Sequence, residues 1–288
     1  MSRRFVVGVV AVMLVLAGCG PKVDEYAQIC PGKSDVLHSI SALRLQADDA
    51  VSVAANGRCS LRLYVEGKSK PQKEKFAVKL WFSPPYRLRV QGNIALDPRA
   101  IVLGSNEEEF WLAIRPKEVS SYVWGKWAEQ ENLDRLGVRP DILLEALGMV
   151  SAGSYAQVQY WSLTNEGAFD VLTKRNDEGA IVKKVYIYSC DYRVARIEYY
   201  DEEEGRAVVV AKLGKHKKVA GEFLVPSHIK ITTYSEGGKE NVVTLTLGSP
   251  KAKEFTEQQQ RGLFERRPPR GFKNVSIIVG GRLVEQYE

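Results

Sequence analysis

The sequence predicts a mainly β protein of the α+β class, a large antiparallel sheet of about a dozen strands accompanied by two main helices. Three observations carry this expectation. Apolar and polar residues alternate with period two through most of residues 58–247, as in strands with one wet and one buried face. Turn signals punctuate the runs, at Gly104-Ser105-Asn106, Asn165-Glu166-Gly167, Asp177-Glu178-Gly179 and Glu236-Gly237-Gly238. The helical period surfaces in two places, after Ser34 and after Pro140.

In chain order, residues 20–33, with prolines at 21 and 31, read as a tether. Asp35 to Ala47 reads as an amphipathic helix. Val36, Ile40, Leu43 and Ala47 line one face with Leu37 beside them, and Ser34 is the expected cap. Asn56-Gly57 reads as a break before the first strand. In Arg58 to Glu66 the residues Cys59, Leu61, Leu63 and Val65 then share one face. Phe76, Val78, Leu80 and Phe82 repeat the pattern up to Pro84-Pro85, and Tyr86, Leu88 and Val90 follow. Strands are expected at 100–103, 109–114 and 118–124. A helix then starts at Pro140, buries Ile142, Leu143, Ala146 and Leu147, and stops at Gly148. Further strands are expected at 160–163, 168–173, 182–188, 193–200, 207–213, 224–234 and 241–247. Residues 251–273 are charged, proline-bearing and weakly periodic, so a surface-wrapping segment is expected there, with a last strand at Val275 to Val279.

The N-terminus carries an export pattern. Arg3 and Arg4 precede an apolar stretch, Phe5 to Leu16, broken only by Gly8. That length suits a signal-peptide core, about 7–15 residues, and falls short of the roughly 20 needed to span a bilayer. Leu16-Ala17-Gly18-Cys19 resembles the lipobox of bacterial lipoproteins at all four positions. The resemblance implies a signal peptide over 1–18, acylation of the Cys19 thiol and a membrane anchored through that lipid. The tether then spans 19–33. Gly20 stands where enteric-type bacteria place an inner-membrane retention aspartate, so the expected address is the outer membrane, facing the periplasm. The Ser2-Arg3-Arg4-Phe5 string lacks the spacer of a twin-arginine signal, which favours the general secretion route.

Composition bounds the function. Removing residues 1–18 leaves 270 residues, with 39 basic and 35 acidic side chains, a net of +4. So mild and interspersed a balance does not argue for a nucleic-acid partner. The local runs at Lys212 to Lys218, Arg266 to Arg270 and Asp201 to Glu204 read as solvated hairpin tips. With Cys19 acylated, Cys30, Cys59 and Cys190 remain in an oxidising compartment, one pair and one free thiol. Cys30–Cys59 is the candidate disulfide, pinning the first helix to the first strand, and Cys190 is an equally allowed partner. His38, His216 and His228 are the only histidines, and their spacing gives no metal site. No GxSxG elbow, phosphate loop or GxGxxG occurs, so no catalytic residue and no cofactor is assigned.

Several strand-and-turn stretches resemble the LolA/LolB-like family of outer-membrane lipoprotein-sorting and carrier proteins. They are Phe82-Ser83-Pro84-Pro85-Tyr86-Arg87-Leu88-Arg89, Leu103-Gly104-Ser105-Asn106 leading to Phe110-Trp111-Leu112, Arg196-Ile197-Glu198-Tyr199-Tyr200 with its acidic turn, and Leu224 to Ile231. The resemblance implies an unclosed half-barrel of about 11–12 strands over residues 34–250, with helices on its concave face. Residues 251–288 would pack on or extend that domain. It also implies a binding protein rather than an enzyme, with an apolar cavity for the acyl chains of lipids or lipoproteins. The inward-facing candidates for that cavity are Leu61, Leu63, Val78, Leu80, Leu88 and Val90 of the strands and Ile142 and Leu143 of the second helix. The competing expectation is an envelope scaffold or sensor that binds a protein through the outer sheet face, where Tyr64 and Trp81 would be exposed. A scattered-site hydrolase is the third reading.

Overall fold

Two antiparallel meanders meet where the first strand of one pairs with the last strand of the other. In the computed structural model the chain is described over residues 25–64, 70–94, 97–116, 119–129, 140–148, 157–235, 238–280 and 282–286. The expected signal peptide over 1–18 and Cys19 lie outside these residues, as do Val65, Glu66, Glu118 and the Glu236-Gly237 part of one expected turn. The first meander comprises β1 (Val53–Leu63), β2 (Gln72–Ser83), β3 (Arg87–Ile94), β4 (Asp97–Ser105), β5 (Glu109–Ile114) and β6 (Ser121–Lys126). The second comprises β7 (Trp161–Glu166), β8 (Phe169–Arg175), β9 (Ile181–Tyr188), β10 (Val194–Tyr200), β11 (Ala207–Ala220), β12 (Phe223–Tyr234) and β13 (Glu240–Leu247). The pairing of β1 with β13 runs from Gly57 opposite Leu247 to Arg62 opposite Val242.

The C-terminal region extends this sheet. β14 (Lys251–Ala252) continues β13 along β1. β15 (Asn274–Val279) pairs in parallel with β6, and β16 (Arg282–Glu285) forms the edge beyond it. The described sheet therefore has sixteen strands, with β16 at one edge and β7 at the other, and does not close. The excess over a dozen comes partly from β14 and β16, two and four residues long, too short to show a period.

Three helices accompany the sheet. α1 (Val36–Asp48) and α2 (Pro140–Ala146) occupy the concave side, where Ile40 and Leu43 of α1 join Ile142, Leu143, Leu144, Ala146 and Leu147 in one core. The sheet supplies to that core the inward phase of nearly every strand, including Leu80, Phe82, Leu88, Leu172, Val185, Ile197, Ile229 and Leu245. The cap of α1 is Asp35, not Ser34. Its Oδ1 accepts from the His38 N–H at 2.9 Å, while Ser34 donates to its Oδ2. Those hydrogen bonds hold the Asp35 carboxyl down at about 2.

α3 (Glu257–Phe264) lies on the convex side against β3, opened by a Thr256–Gln259 capping box. The Asn106 side chain and Arg89 Nη1 donate to the Phe264 and Leu263 carbonyls, and Arg87 Nη1 donates to Gln260. Burial, with the charges of Arg267 and Arg99, lowers Arg89 to about 10. The basic run Arg266 to Arg270 is not a hairpin tip. Arg266 pairs with Glu109 at 2.7 Å and stacks 3.9 Å from the Trp124 ring, fastening the segment across β5 and β6.

Two other turn expectations fail for local reasons. Asn56-Gly57 sits inside β1, because β13 approaches so closely there that a Cβ on Gly57 would lie 2.4 Å from the Thr246 carbonyl oxygen. Lys212 to Lys218 belongs to β11, whose length carries it to a turn at Gly221. The acidic run Asp201 to Glu204 does form the β10–β11 turn, with Asp201 Oδ1 accepting from the N–H groups of Glu203 and Glu204.

Candidate functional site

The concave core is completed by helices that pack on the strands' inward side chains, and α2 is the shorter of the two. α2 is seven residues long, too short to be stable alone. Pro140 opens it, and Gly148, at φ +80°, ends it in the left-handed conformation. Ile142 and Leu147 are fully buried, and Leu143, Leu144 and Ala146 nearly so. The helix is apolar around most of its circumference and lies among β4, β11 and the opposing strands.

One polar cluster fixes it. Glu145 projects from α2 into the interior, where its carboxylate accepts from Lys183 Nζ of β9 and from the Tyr199 hydroxyl of β10. Lys183 Nζ also lies 5.1 Å from the centre of the Tyr199 ring. Glu145 and Lys183 are both buried. Burial of a charge is tolerated only with such pairing, and loss of either member would strand the other.

Beside α2 is a cleft of about 140 Å³, bounded by Leu43 and Ala47 of α1, Glu145 and Ala146 of α2, and Phe223 and Leu224 of β12. Sites for drug-sized ligands run about 300–1,000 Å³, so the cleft alone is too small for a long acyl chain. Several of its charged groups have partners: Asp191 pairs with Arg193 at 3.3 Å, Glu222 with Lys218 at 2.5 Å, and His216 with Glu25 at 3.2 Å. Among the described residues no group of three or more His, Cys, Asp and Glu is placed to hold a metal ion.

Seven of the eight candidate cavity residues gather in the concave core, and none lies around the cleft. Val78, Leu80, Leu88, Ile142 and Leu143 are buried in the concave core. Leu61 and Val90 pack against it half-buried, and Leu63 stands at the end of β1 outside it. None of the eight lines the cleft. Glu145, Lys183 and Tyr199 were not among the candidates, although their sequence positions carry a signal. Glu145 interrupts the apolar run Ile142 to Leu147, and Lys183 occupies the inward phase of β9 with Val185 and Ile187.

The expected tether is bonded to the domain from Glu25 onward. Cys30 is joined to Cys190, not to Cys59, with Cα atoms 5.0 Å apart. Cys59 points from β1 into the core and is buried as a free thiol, which burial pushes up to about 12. Cys190, in the turn between β9 and β10, is half-buried where the segment from Glu25 to Lys33 passes as a strap. Lys33 N–H donates to the fully buried Asp170 at 2.8 Å, an approach that only Gly32 permits, since a Cβ there would lie 2.0 Å from Asp170 Oδ1. Tyr192 donates to the same carboxylate and shares a hydrogen bond with Ser39 of α1. Tyr26 packs on Phe169 and Tyr188 and donates to the Leu213 carbonyl.

Glu25 closes the strap onto β11. Its carboxylate accepts from the Lys215 N–H at 2.7 Å and from the His216 ring. Burial works to raise the Glu25 carboxyl, but the hydrogen bonds from Lys215 and His216 outweigh it and hold the group below its ordinary value. Burial lowers His216 below its ordinary value, with Glu25 opposing the shift.

Tyr64 and Trp81 do not form one patch. Trp81 pairs with Ala54 at one end of β1, half-buried beside Lys79, and Tyr64 follows the other end with the Lys239 ammonium 5.4 Å from its ring.

The fold is an open, largely antiparallel sheet holding helices in its concave face. The chain is similar to a DUF1329 family protein from Desulfovibrio piger, at 11% identity and a TM-score of 0.51, over 80% of this chain and 97% of that one. It is similar also to a domain described as an outer-membrane lipoprotein-sorting protein from Vibrio parahaemolyticus, at 9% identity and a TM-score of 0.49, over 78% and 96%. A third is a LolA superfamily protein from Nitrosomonas europaea, at 13% identity and a TM-score of 0.47, over 76% and 96%. At such identities the likeness is one of fold alone. No protein-family model matches the chain, and no curated protein matches its sequence.

Proposed function

We propose that this chain is a lipid-anchored protein of the bacterial cell envelope whose half-barrel takes up an acyl chain, of a lipid or of a lipoprotein, when α2 lifts from the concave face. The observation that carries the reading is the origin of the core. The strands' inward side chains are covered by α1 and by a seven-residue helix, α2, and α2 is held through one charged cluster. An open sheet that cannot fill its own interior accommodates a ligand wherever the filler can leave. With α2 displaced, Val78, Leu80 and Leu88 would face the acyl chain, Leu61, Leu63 and Val90 would flank it, and Ile142 and Leu143 would cover it from the helix. Burial at about 25 cal/mol per Å² would drive uptake, so chain length would matter more than headgroup. The partnered carboxylates of the cleft favour binding without catalysis.

The anchor half of the reading rests on Leu16-Ala17-Gly18-Cys19, with Cys19 as the acylated residue and the outer membrane as the address. A Cys19→Ser chain should lose acylation and detergent partitioning. The uptake half is tested by displacing a fluorescent fatty acid from the chain lacking residues 1–19. Saturable binding that strengthens with acyl length is expected. Absence of saturable binding would leave the outer sheet face, and a protein partner on it, as the better reading.

A further inference from the structure

The convex face is covered over only half its width. Residues 255–273 lie across β3 to β6, fastened by Arg89, Asn106, Tyr122 and Glu109. On β2, β1, β13, β12 and β11 that face is mostly exposed among the described residues, Thr232 and Val210 excepted, and register shows what stands on it. One row across the five strands reads Lys75, Ser60, Thr244, Lys230, Lys212, and the next reads Lys73, Arg62, Val242, Thr232, Val210. Arg58 heads the following row, opposite Ala77 and Thr246. These are the positions opposite in phase to the core residues Cys59, Leu245, Ile229 and Leu213. The six basic side chains, Arg58, Arg62, Lys73, Lys75, Lys212 and Lys230, are all exposed, and no ion pair holds any of them among the described residues. Those three rows contain no acidic side chain. The patch spans four strand spacings of about 4.8 Å, close to 20 Å across.

The start of the described chain lies on this same face. Glu25 Oε2 would stand 3.1 Å from a Cβ placed on Gly214, and Gly214 shares the row of His228, Thr246 and Arg58, two residues beyond Lys212. Six residue steps separate Glu25 from Cys19, a reach of about 20 Å at full extension. A lipid on Cys19 therefore brings the bilayer surface to within about the width of the patch. Exit point and charge agree independently.

We propose that this basic convex face docks on the headgroups of anionic phospholipid in the bilayer that holds the anchor. The geometry rests on the Cys19 anchor reading; the choice of an anionic surface rests on the charge alone. With the sheet laid on its convex side, the concave face and α2 look away from the membrane toward incoming cargo. Each basic side chain within a Debye length of an anionic surface raises the partition about fivefold, and salt removes the effect.

The test uses the full chain on phosphatidylcholine vesicles with and without phosphatidylglycerol, at low and high salt, with lysine acetylation read by mass spectrometry. Acetylation of Lys75, Lys212 and Lys230 should fall at least about fivefold on the anionic vesicles at low salt and recover at high salt, the loss expected from even one docked lysine. Equal labelling of the three lysines on both vesicle types would overturn the proposal, and is the result expected if an acidic protein is the true partner. Release of the chain from all vesicles at high salt would sink the anchor reading separately, and the low-salt comparison would still decide the face.

Discussion

Replacing Glu145 by Gln keeps the shape of the side chain and removes its charge from beside Lys183 and the Tyr199 hydroxyl. Burying Ile142, Leu143, Leu144 and Leu147 at roughly 2 kcal/mol each favours docking of α2 by about 8 kcal/mol. Ordering the nine described residues 140–148, at roughly 1–2 kcal/mol apiece, opposes it by about 13 kcal/mol. Ordering exceeds burial by about 5 kcal/mol on these figures, so the cluster decides whether α2 docks. Removing one member of a buried pair costs about 3–5 kcal/mol, because the other charge is left without compensation. In Glu145→Gln, amide exchange over residues 140–148 should therefore rise about 10²- to nearly 10⁴-fold. Exchange at Leu172, Val185 and Ile197 should hold, and the affinity for a fluorescent fatty acid should increase. Hydrogen exchange read by mass spectrometry resolves the two regions. Unchanged exchange in α2 would refute the cluster as its latch. A rise shared equally by the sheet would refute α2 as a separable element.

The Cys30–Cys190 bond closes a sequence separation of 160 residues, for which chain entropy gives about 5 kcal/mol. Reduction, or Cys30→Ser, should lower the urea-unfolding free energy by about 2–5 kcal/mol, and an unmoved midpoint would contradict the assigned pairing. The strap should also loosen in acid. The Glu25 carboxyl lies below its ordinary 4.5 in the fold, so its contribution is present above 4.5 and lost as pH falls through the lowered folded value. His216 lies below its ordinary 6.5, so below that pH the unfolded chain takes up the proton more readily, and stability falls in the same direction. Proteolysis within residues 25–35 should quicken as pH drops from 6.5 through 4.5, whereas a flat profile would show that the Glu25–His216 contact holds nothing in place.

Much of the fold is legible in the sequence because a half-buried strand writes its burial into every second residue. Phe76, Val78, Leu80 and Phe82 mark the inward phase of β2 as the structure has it, with Val78, Leu80 and Phe82 buried and Phe76 packed against them. The signal fails where a local pattern is set by distant partners. Gly57 looks like a turn residue, yet it stands where β13 leaves no room for a Cβ. Lys212 to Lys218 looks like a loop, because β11 there leaves the core and its exposed residues carry charge. The disulfide illustrates the same limit. Three cysteines allow three pairings, and the choice of Cys190 depends on the strap crossing the β9–β10 turn, which no local period encodes. The Glu145 cluster was within reach as a polar residue in an apolar run and a lysine on an inward phase. Joining them needed the crossover from β6 to β7 to lay α2 across β9 and β10.

Native mass spectrometry after gentle extraction tests the central claim most directly, since it weighs whatever the concave face holds. The account predicts the mass of the chain and its anchor together with one acyl-bearing molecule that leaves on activation, at higher occupancy in Glu145→Gln than in the parent chain. Bare protein mass in both chains, under conditions where a known fatty-acid carrier keeps its ligand, would contradict it.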